Sequence, residues 1–308
     1  MMIMESSKLW VEYIKKENEG VALQILIVGA SGYLGRHAYK YFKLHYDDVI
    51  GTYHTHQTDS SMISFDMNKD DINRIGLLQR DENRCAVICA AETRLDICKV
   101  NKEESFQTNV ASTIELIEKL KNMNYYIVFC STDAVYAGTK GNYKEVDAVD
   151  PVNEYARMKL QVEQYITENC PNACIFRLSK MIGDSNLPKD TLYEWKSLAL
   201  EKKDIFCIKG NCFSPVDVED VVKCIEIAFN KRIGGIYNIC SDDTYNRADL
   251  CKAFLKALGL TSNVYEKNVE EFGFLSTRSM NVGMNNQKAK EILKYNFSNM
   301  EEVFMKYK

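Results

Sequence analysis

Tyr155 and Lys159 have the residue types and spacing that point most directly to chemistry in this 308-residue chain. They lie four apart in Asn153-Glu154-Tyr155-Ala156-Arg157-Met158-Lys159, so on a helix they share one face. An ammonium close to a phenol favours the phenolate and lowers a pKa that is ordinarily about 10. Such a tyrosine can exchange a proton near neutral pH. Chance also supplies exposed Tyr/Lys pairs, so the pair gains meaning only from what surrounds it. Upstream, the apolar run Tyr125-Tyr126-Ile127-Val128-Phe129-Cys130 ends in Ser131-Thr132-Asp133. Hydroxyl and carboxylate groups at the C-terminal edge of a parallel strand sit where such sheets bind ligands.

A sheet of that kind has a recognisable first edge. Leu23 to Val28 is apolar and runs into Gly29-Ala30-Ser31-Gly32-Tyr33-Leu34-Gly35-Arg36, followed at once by a helical pattern. Strand, glycine turn and helix together predict a dinucleotide-binding βα unit. Gly29 lets the chain leave the strand sharply, Gly32 lets the backbone approach a pyrophosphate, and Gly35 lets the helix pack closely on the sheet. The N–H groups and positive dipole end of that helix then face the phosphates. Gly29, Ser31, Gly32, Tyr33, Leu34 and Gly35 are therefore cofactor candidates, against the plainer reading of a glycine-rich βα turn.

The remaining strand ends refine this expectation. Asp48 to His54 reads as the second strand, where an acid would bind the adenosine ribose hydroxyls and repel a 2′-phosphate. Thr52, Tyr53 and His54 stand there instead, and Arg36 could reach the same corner. A guanidinium suits a phosphate, which favours NADP(H) over NAD(H). Asp66 ends a third strand, Met62 to Asp66, where adenine is usually read. Cys85 to Ala91 reads as a buried fourth strand whose small Ala90 and Ala91 let a cofactor lie against its end. A polar crossover helix is expected over 68–81. A longer helix over 101–122 should turn Phe106, Val110, Ile114, Ile117 and Leu120 to the sheet, with Asn109 interrupting that face. A sixth strand is expected over Cys174 to Ser179.

From about residue 180 the β–α alternation weakens. Helices are expected over 190–203, from Val216 onward, and over Arg247 to Leu258, 286–295 and 299–307. Gly235 to Cys240 reads as a strand, and Cys207 to Pro215 as irregular. The fold expected is α/β, a doubly wound Rossmann-type parallel sheet with a smaller C-terminal lobe for substrate. Its divisions are 1–22, an N-terminal extension in which Leu9, Trp10, Tyr13 and Ile14 have helical spacing; 23–180, the NAD(P)-binding core with the catalytic residues; and 181–308, mainly the lobe, with some segments returning to the core.

Composition excludes several classes. At 46% hydrophobic and 27% charged residues the chain is ordinary for a globular protein. A net charge of −4 does not suggest a nucleic-acid surface. No apolar run has transmembrane length and no basic-then-apolar leader opens the chain, so a cytoplasmic protein without membrane partners is expected. The 11 cysteines include no C-x-x-C pair, and many lie in apolar runs, as small buried hydrophobes do. His54 and His56 share a face without a third ligand nearby, so no metal site is expected.

Taken in order, Gly29-x-x-Gly32-x-x-Gly35, Ala90-Ala91-Glu92-Thr93, Ser131-Thr132-Asp133-x-Val135-Tyr136, Tyr155-x-x-x-Lys159 and Ser214-Pro215-Val216-Asp217 resemble the dTDP-4-dehydrorhamnose reductase family. This is a nucleotide-sugar branch of the extended short-chain dehydrogenases, and the likeness runs from about residue 23 to near the C-terminus. The resemblance implies that Thr132, Tyr155 and Lys159 form the catalytic set, with Lys159 also binding the nicotinamide ribose and Thr93 beside the cofactor. It implies a nucleotide-sugar substrate reduced by NAD(P)H and is compatible with a homodimer. Asp133, Tyr193, Trp195, Arg278 and Asn281 become substrate candidates. In Arg278 to Asn285, Ser279, Val282 and Asn285 depart from the family's pattern, which bears on the sugar rather than on the chemistry. The same triad also serves epimerases and dehydratases with tightly held NAD, and some relatives are regulatory subunits that keep the fold without turnover.

Overall fold

The computed structural model describes residues 23–77 and 83–308. Seven parallel strands form its centre: β1 (Gln24–Val28), β2 (Asp48–Tyr53), β3 (Ile63–Ser64), β4 (Arg84–Ile88), β5 (Tyr126–Thr132), β6 (Cys174–Leu178) and β7 (Gly235–Ile239). Their spatial order is 7-6-5-4-1-2-3. The chain thus starts in the middle, winds out through β3, then crosses back beyond β1 to β4. The crevice lies where the order reverses, between β1 and β4, at the strands' C-terminal ends. Every residue of β1, β4, β5 and β6 is buried. That explains their unbroken apolar runs, since helices cover both faces of such a sheet.

On one face lie α1 (Tyr33–His45) and a long helix at Val218–Lys231, joined by Phe42 edge-on to Phe229. The other face carries helices at Thr113–Asn122 and Glu154–Asn169, which bury Leu116, Ile117, Leu120, Val162 and Ile166. A third apolar cluster belongs to the lobe and gathers Trp195, Phe213, Phe254, Phe304 and Tyr307. The rotation of β7 back into the main sheet means that the lobe is not a contiguous C-terminal half.

Three sequence expectations change here. The crossover over 68–81 is no long helix in its described part: a single 3-10 turn spans Ile72–Ile75, capped by Asp71 and closed by Gly76 at φ +71°. The helix expected from 101 is interrupted by a π-helical stretch at Gln107–Ser112 after Lys102–Phe106. The wider turn rotates Phe106 outward, to 42% exposed, and rotates Asn109 inward, to 2%. The stretch Cys207 to Pro215, expected to be irregular, opens on the end of a strand, Ile205–Ile208, paired with Val264–Lys267, and contains a second, Cys212–Phe213, paired with Tyr245–Asn246. The helix considered around Leu9 to Ile14 lies outside the described residues, as do residues 78–82.

Candidate functional site

The glycine turn opens the crevice. Gly29 has φ +86°, and a Cβ there would stand 2.8 Å from the Ala90 backbone. Only a residue without a side chain can turn so close to the end of β4. The Gly29 N–H donates to Thr52 Oγ1 at 3.2 Å, so Thr52 serves the turn itself. A Cβ on Gly35 would fall 2.1 Å from the Gly29 carbonyl oxygen. The close packing expected of Gly35 is therefore made with its own turn rather than with the sheet. Gly32 differs: it is exposed, and the one neighbour of its would-be Cβ is the Gly29 oxygen at 3.3 Å. It is the N-cap of α1, and no side chain caps that helix. The unpaired N–H groups and the positive helix end face the cleft, an arrangement suited to an anion.

The cleft measures about 430 Å³ and takes in Gly32 to Gly35 on one side and Thr132, Tyr155 and Lys159 on the other. Thr132 is the last residue of β5. Asn153 accepts the Ala156 N–H at 3.0 Å and starts the helix that presents Tyr155 and Lys159. Ala91 and Thr93 line the floor. Their loop is held by Asn109, which accepts the Glu92 N–H at 2.8 Å and donates to the Glu92 carbonyl at 2.9 Å. The π-helical stretch aims Asn109 at that loop, a common use of such bulges at functional sites.

The electrostatics differ from the sequence expectation. Lys159 is 3% exposed and donates to the Cys130 carbonyl at 2.7 Å, with its ammonium over the Phe129 ring. Burial holds its pKa below the usual lysine value. Tyr155 is pushed above the ordinary phenol value, first by burial and then by the Asp133 carboxylate. The lowering expected from Lys159 is thus not what the fold produces, because desolvation and Asp133 act in the opposite direction. Thr132 Oγ1 donates to Asp133 at 3.2 Å and accepts the Ala134 N–H at 3.2 Å.

Burial pushes the Asp133 carboxyl up to about 6, partly offset by the hydrogen bond from Thr132 and by the Lys180 ammonium. Its folded pKa therefore exceeds the ordinary carboxyl value of 3.8. Folding disfavours the ionised form, so the destabilisation is absent below 3.8 and grows as pH rises through about 6. Asp133→Asn should raise Tm at pH 8 and leave it nearly unchanged at pH 3.5. Thermal scans at the two pH values check this, and equal shifts would contradict it.

At the adenosine end, His54 Nε2 lies 3.5 Å from Asp66, which also pairs with Lys69 at 3.1 Å. Burial opposes ionisation of Asp66, but the Asn68 N–H, Lys69 and His54 outweigh it and hold its pKa low. Arg36 is half-buried, and among the described residues its guanidinium makes no hydrogen bond or ion pair. Ser31 is half-buried in the turn and Leu34 is buried beneath it.

A second cleft of about 690 Å³ adjoins the first and shares Asp133 and Lys180 with it. Trp195 and Arg278 are in its wall. Arg278 Nη2 donates to Asp96 at 3.0 Å, and its guanidinium lies over Phe274. Tyr193 and Asn281 are not brought to either cleft. Tyr193 packs against the lobe core, and its N–H donates to the carboxylate of Asp190, the N-cap of its helix, at 3.1 Å. Asn281 packs at Gly141, and its N–H bonds the Gly138 carbonyl at 2.7 Å. Sequence reasoning passed over Ser179, Lys180, Lys189 and Arg247, which line the clefts. Ser179 and Lys180 follow β6 directly, so the rule that strand ends meet ligands could have found them; Arg247 had no such signal.

All 11 cysteines are free thiols, and all but Cys89 and Cys212 are buried. Among the described residues no group of three His, Cys, Asp or Glu is placed to hold a metal, and no helix is long and apolar enough to cross a membrane.

Comparison with known proteins agrees with this architecture. The chain is 27% identical over 266 residues to methionine adenosyltransferase 2 subunit beta of Xenopus laevis, covering 82% of this chain and 78% of the relative. It is 24% identical over 248 residues to a probable low-salt glycan biosynthesis reductase of Haloferax volcanii, covering 79% and 83%. A dTDP-4-dehydrorhamnose reductase from Bacillus anthracis, solved in complex with NADP, superposes with a TM-score of 0.81 at 18% identity, covering 93% of this chain and 99% of that one. Residues 23–306 match the RmlD substrate binding domain. A match over that span, on a Rossmann-type sheet carrying the motifs in order, makes the chain a member of the dTDP-4-dehydrorhamnose reductase family.

Proposed function

We propose that the protein is an NAD(P)H-dependent reductase acting on the keto group of a nucleotide-activated sugar, a 4-dehydro sugar. The observation that carries this reading is the presence of Thr132, Tyr155 and Lys159 on one cleft with the uncapped N-terminus of α1. The cleft residues fit a dinucleotide: Gly32 leaves room for a pyrophosphate, the α1 N–H groups supply donors, and Ala91 leaves the floor flat. A nicotinamide bound there supplies a hydride to the carbonyl carbon. Tyr155 is protonated across neutral pH and gives its phenolic proton to the carbonyl oxygen. Thr132 turns its hydroxyl from Asp133 to the same oxygen and stabilises charge developing there. Lys159, already fixed by the Cys130 carbonyl, offers its remaining N–H donors to the ribose hydroxyls. A screen of dehydro nucleotide sugars, followed by NADPH absorbance, tests the reading. One of them should consume NADPH; no consumption with any would refute it.

NADPH is the favoured cofactor, because Arg36 makes no ion pair among the described residues and no acid ends β2. Arg36→Ala should weaken NADPH by about 1.5 kcal/mol, the low end for a charge-assisted bond at a half-exposed site, and spare NADH. Parallel fluorescence titrations measure this. An NADH preference in the unmodified protein would contradict it.

A second reading is a regulatory subunit that keeps the fold, favoured by the likeness to methionine adenosyltransferase 2 subunit beta. Capture of a larger enzyme together with absence of turnover in the screen would support it over the first.

A further inference from the structure

Buried polar groups in folded proteins almost always find partners, and a cluster that does not is informative. Among the described residues five buried side-chain atoms lack a hydrogen bond, and three of them belong to cleft-lining residues: Ser179 Oγ, Arg278 Nη1 and Ser279 Oγ. The same clefts hold two cations that form no salt bridge among the described residues. Lys180 lines both clefts, beside Asp133. Arg247 lines the second, its guanidinium 5.6 Å above the Trp195 ring. Among the described residues neither side chain donates a hydrogen bond or makes an ion pair within 4 Å. Asp190 and Asp133 act electrostatically on Lys180, and Glu194, which shares the second cavity, acts on both, all without contact.

The pair is unfavourable as it stands. Lys180 is exposed to the cleft, yet the walls desolvate its ammonium and the Arg247 charge repels it, so its pKa is held below the usual value. Burial lowers that of Arg247 as well. Trp195, 3% exposed, is a rigid platform that keeps the guanidinium in place. Arg278, by contrast, is already tied to Asp96. An oxyanion entering between Lys180 and Arg247 would relieve their repulsion and fill empty donor positions on both, with planar bidentate bonds available from the guanidinium.

We infer that Lys180 and Arg247 form an oxyanion-binding site at the junction of the two clefts, which selects a substrate by a phosphate or carboxylate held close to Thr132 and Tyr155. This rests on the reading of the clefts as a sugar-nucleotide site and names the group they recognise. Two sources share that chemistry: the diphosphate of the nucleotide, or a carboxylate on the sugar ring.

Calorimetric titration of the full chain with NADPH present tests it, using inorganic pyrophosphate, UDP-glucose and UDP-glucuronic acid as probes. Pyrophosphate should bind the unmodified protein and bind at least tenfold more weakly to Lys180→Met and to Arg247→Met. Arg247→Lys, which keeps the charge but loses the fork, should recover part of the loss. Arg247 lines only the second cleft, so unchanged NADPH binding by Arg247→Met reports an intact fold. If UDP-glucuronic acid binds more tightly than UDP-glucose, and both variants erase the difference, the source is the ring carboxylate. If the two bind alike and both weaken tenfold, it is the diphosphate. The inference is overturned if the unmodified protein binds none of the probes, or if the variants bind all of them within twofold of it. Failure of the reductase reading looks different: pyrophosphate still binds in a pair-dependent way, while no sugar nucleotide binds or is turned over.

Discussion

Turnover of Tyr155→Phe should fall by about 10²-fold or more, the scale of losing a positioned proton donor, while NADPH binding and Tm stay close to those of the unmodified protein. The substitution removes one oxygen and keeps the ring. Among the described residues the phenolic oxygen makes no hydrogen bond, so no structural bond is lost with it. The raised pKa of Tyr155 fits the reductive direction. A phenol held above its ordinary value enters each cycle protonated, and an alkoxide forming on the sugar is basic enough to take that proton. Lowering by Lys159 would matter more for the reverse, oxidative reaction. Any residual rate of Tyr155→Phe should rise as pH falls, because solvent then supplies the proton. The substrate found in the screen is used for these assays. A folded Tyr155→Phe protein with undiminished kcat removes Tyr155 from the chemistry.

Glu163→Gln should destabilise the protein by about 3–5 kcal/mol, since it leaves a buried guanidinium without its counter-charge. Glu163 and Arg177 pair at 2.7 Å, with side chains only 2% and 4% exposed. Glu163 also accepts the Ser131 hydroxyl, and Arg177 Nη1 donates to the Tyr136 hydroxyl at 2.9 Å. The network clamps the helix carrying Tyr155 and Lys159 to β5 and β6, so its loss should also loosen the site. In a chain of this size the change corresponds to a fall in Tm of roughly 6–20 °C. Glu163→Leu combined with Arg177→Met should recover much of it, because apolar side chains of similar volume can replace a buried pair. A shift under 2 °C in Glu163→Gln would show that the pair contributes little.

Local pattern was enough for the sheet strands, the glycine turn and the helix bearing Tyr155 and Lys159. Buried parallel strands must be apolar throughout, a positive φ at the end of a strand favours glycine, and Asn153 announces its helix by capping it. The convergence of Thr132, Tyr155 and Lys159 was legible for the same reason: a strand end and the following helix are neighbours along the chain. The π-helical turn was hidden, because Asn109 faces inward only to satisfy the Glu92 backbone across space. The electrostatics of the site were hidden too. Sequence spacing placed Lys159 beside Tyr155, but burial, the Cys130 carbonyl and Asp133 decide both pKa values, and those depend on what the whole fold packs around them. The second cleft was the least legible part. Lys180, Trp195, Arg247 and Arg278 come from four separate stretches of the chain, and only the packing of the lobe against the sheet brings them into one cavity.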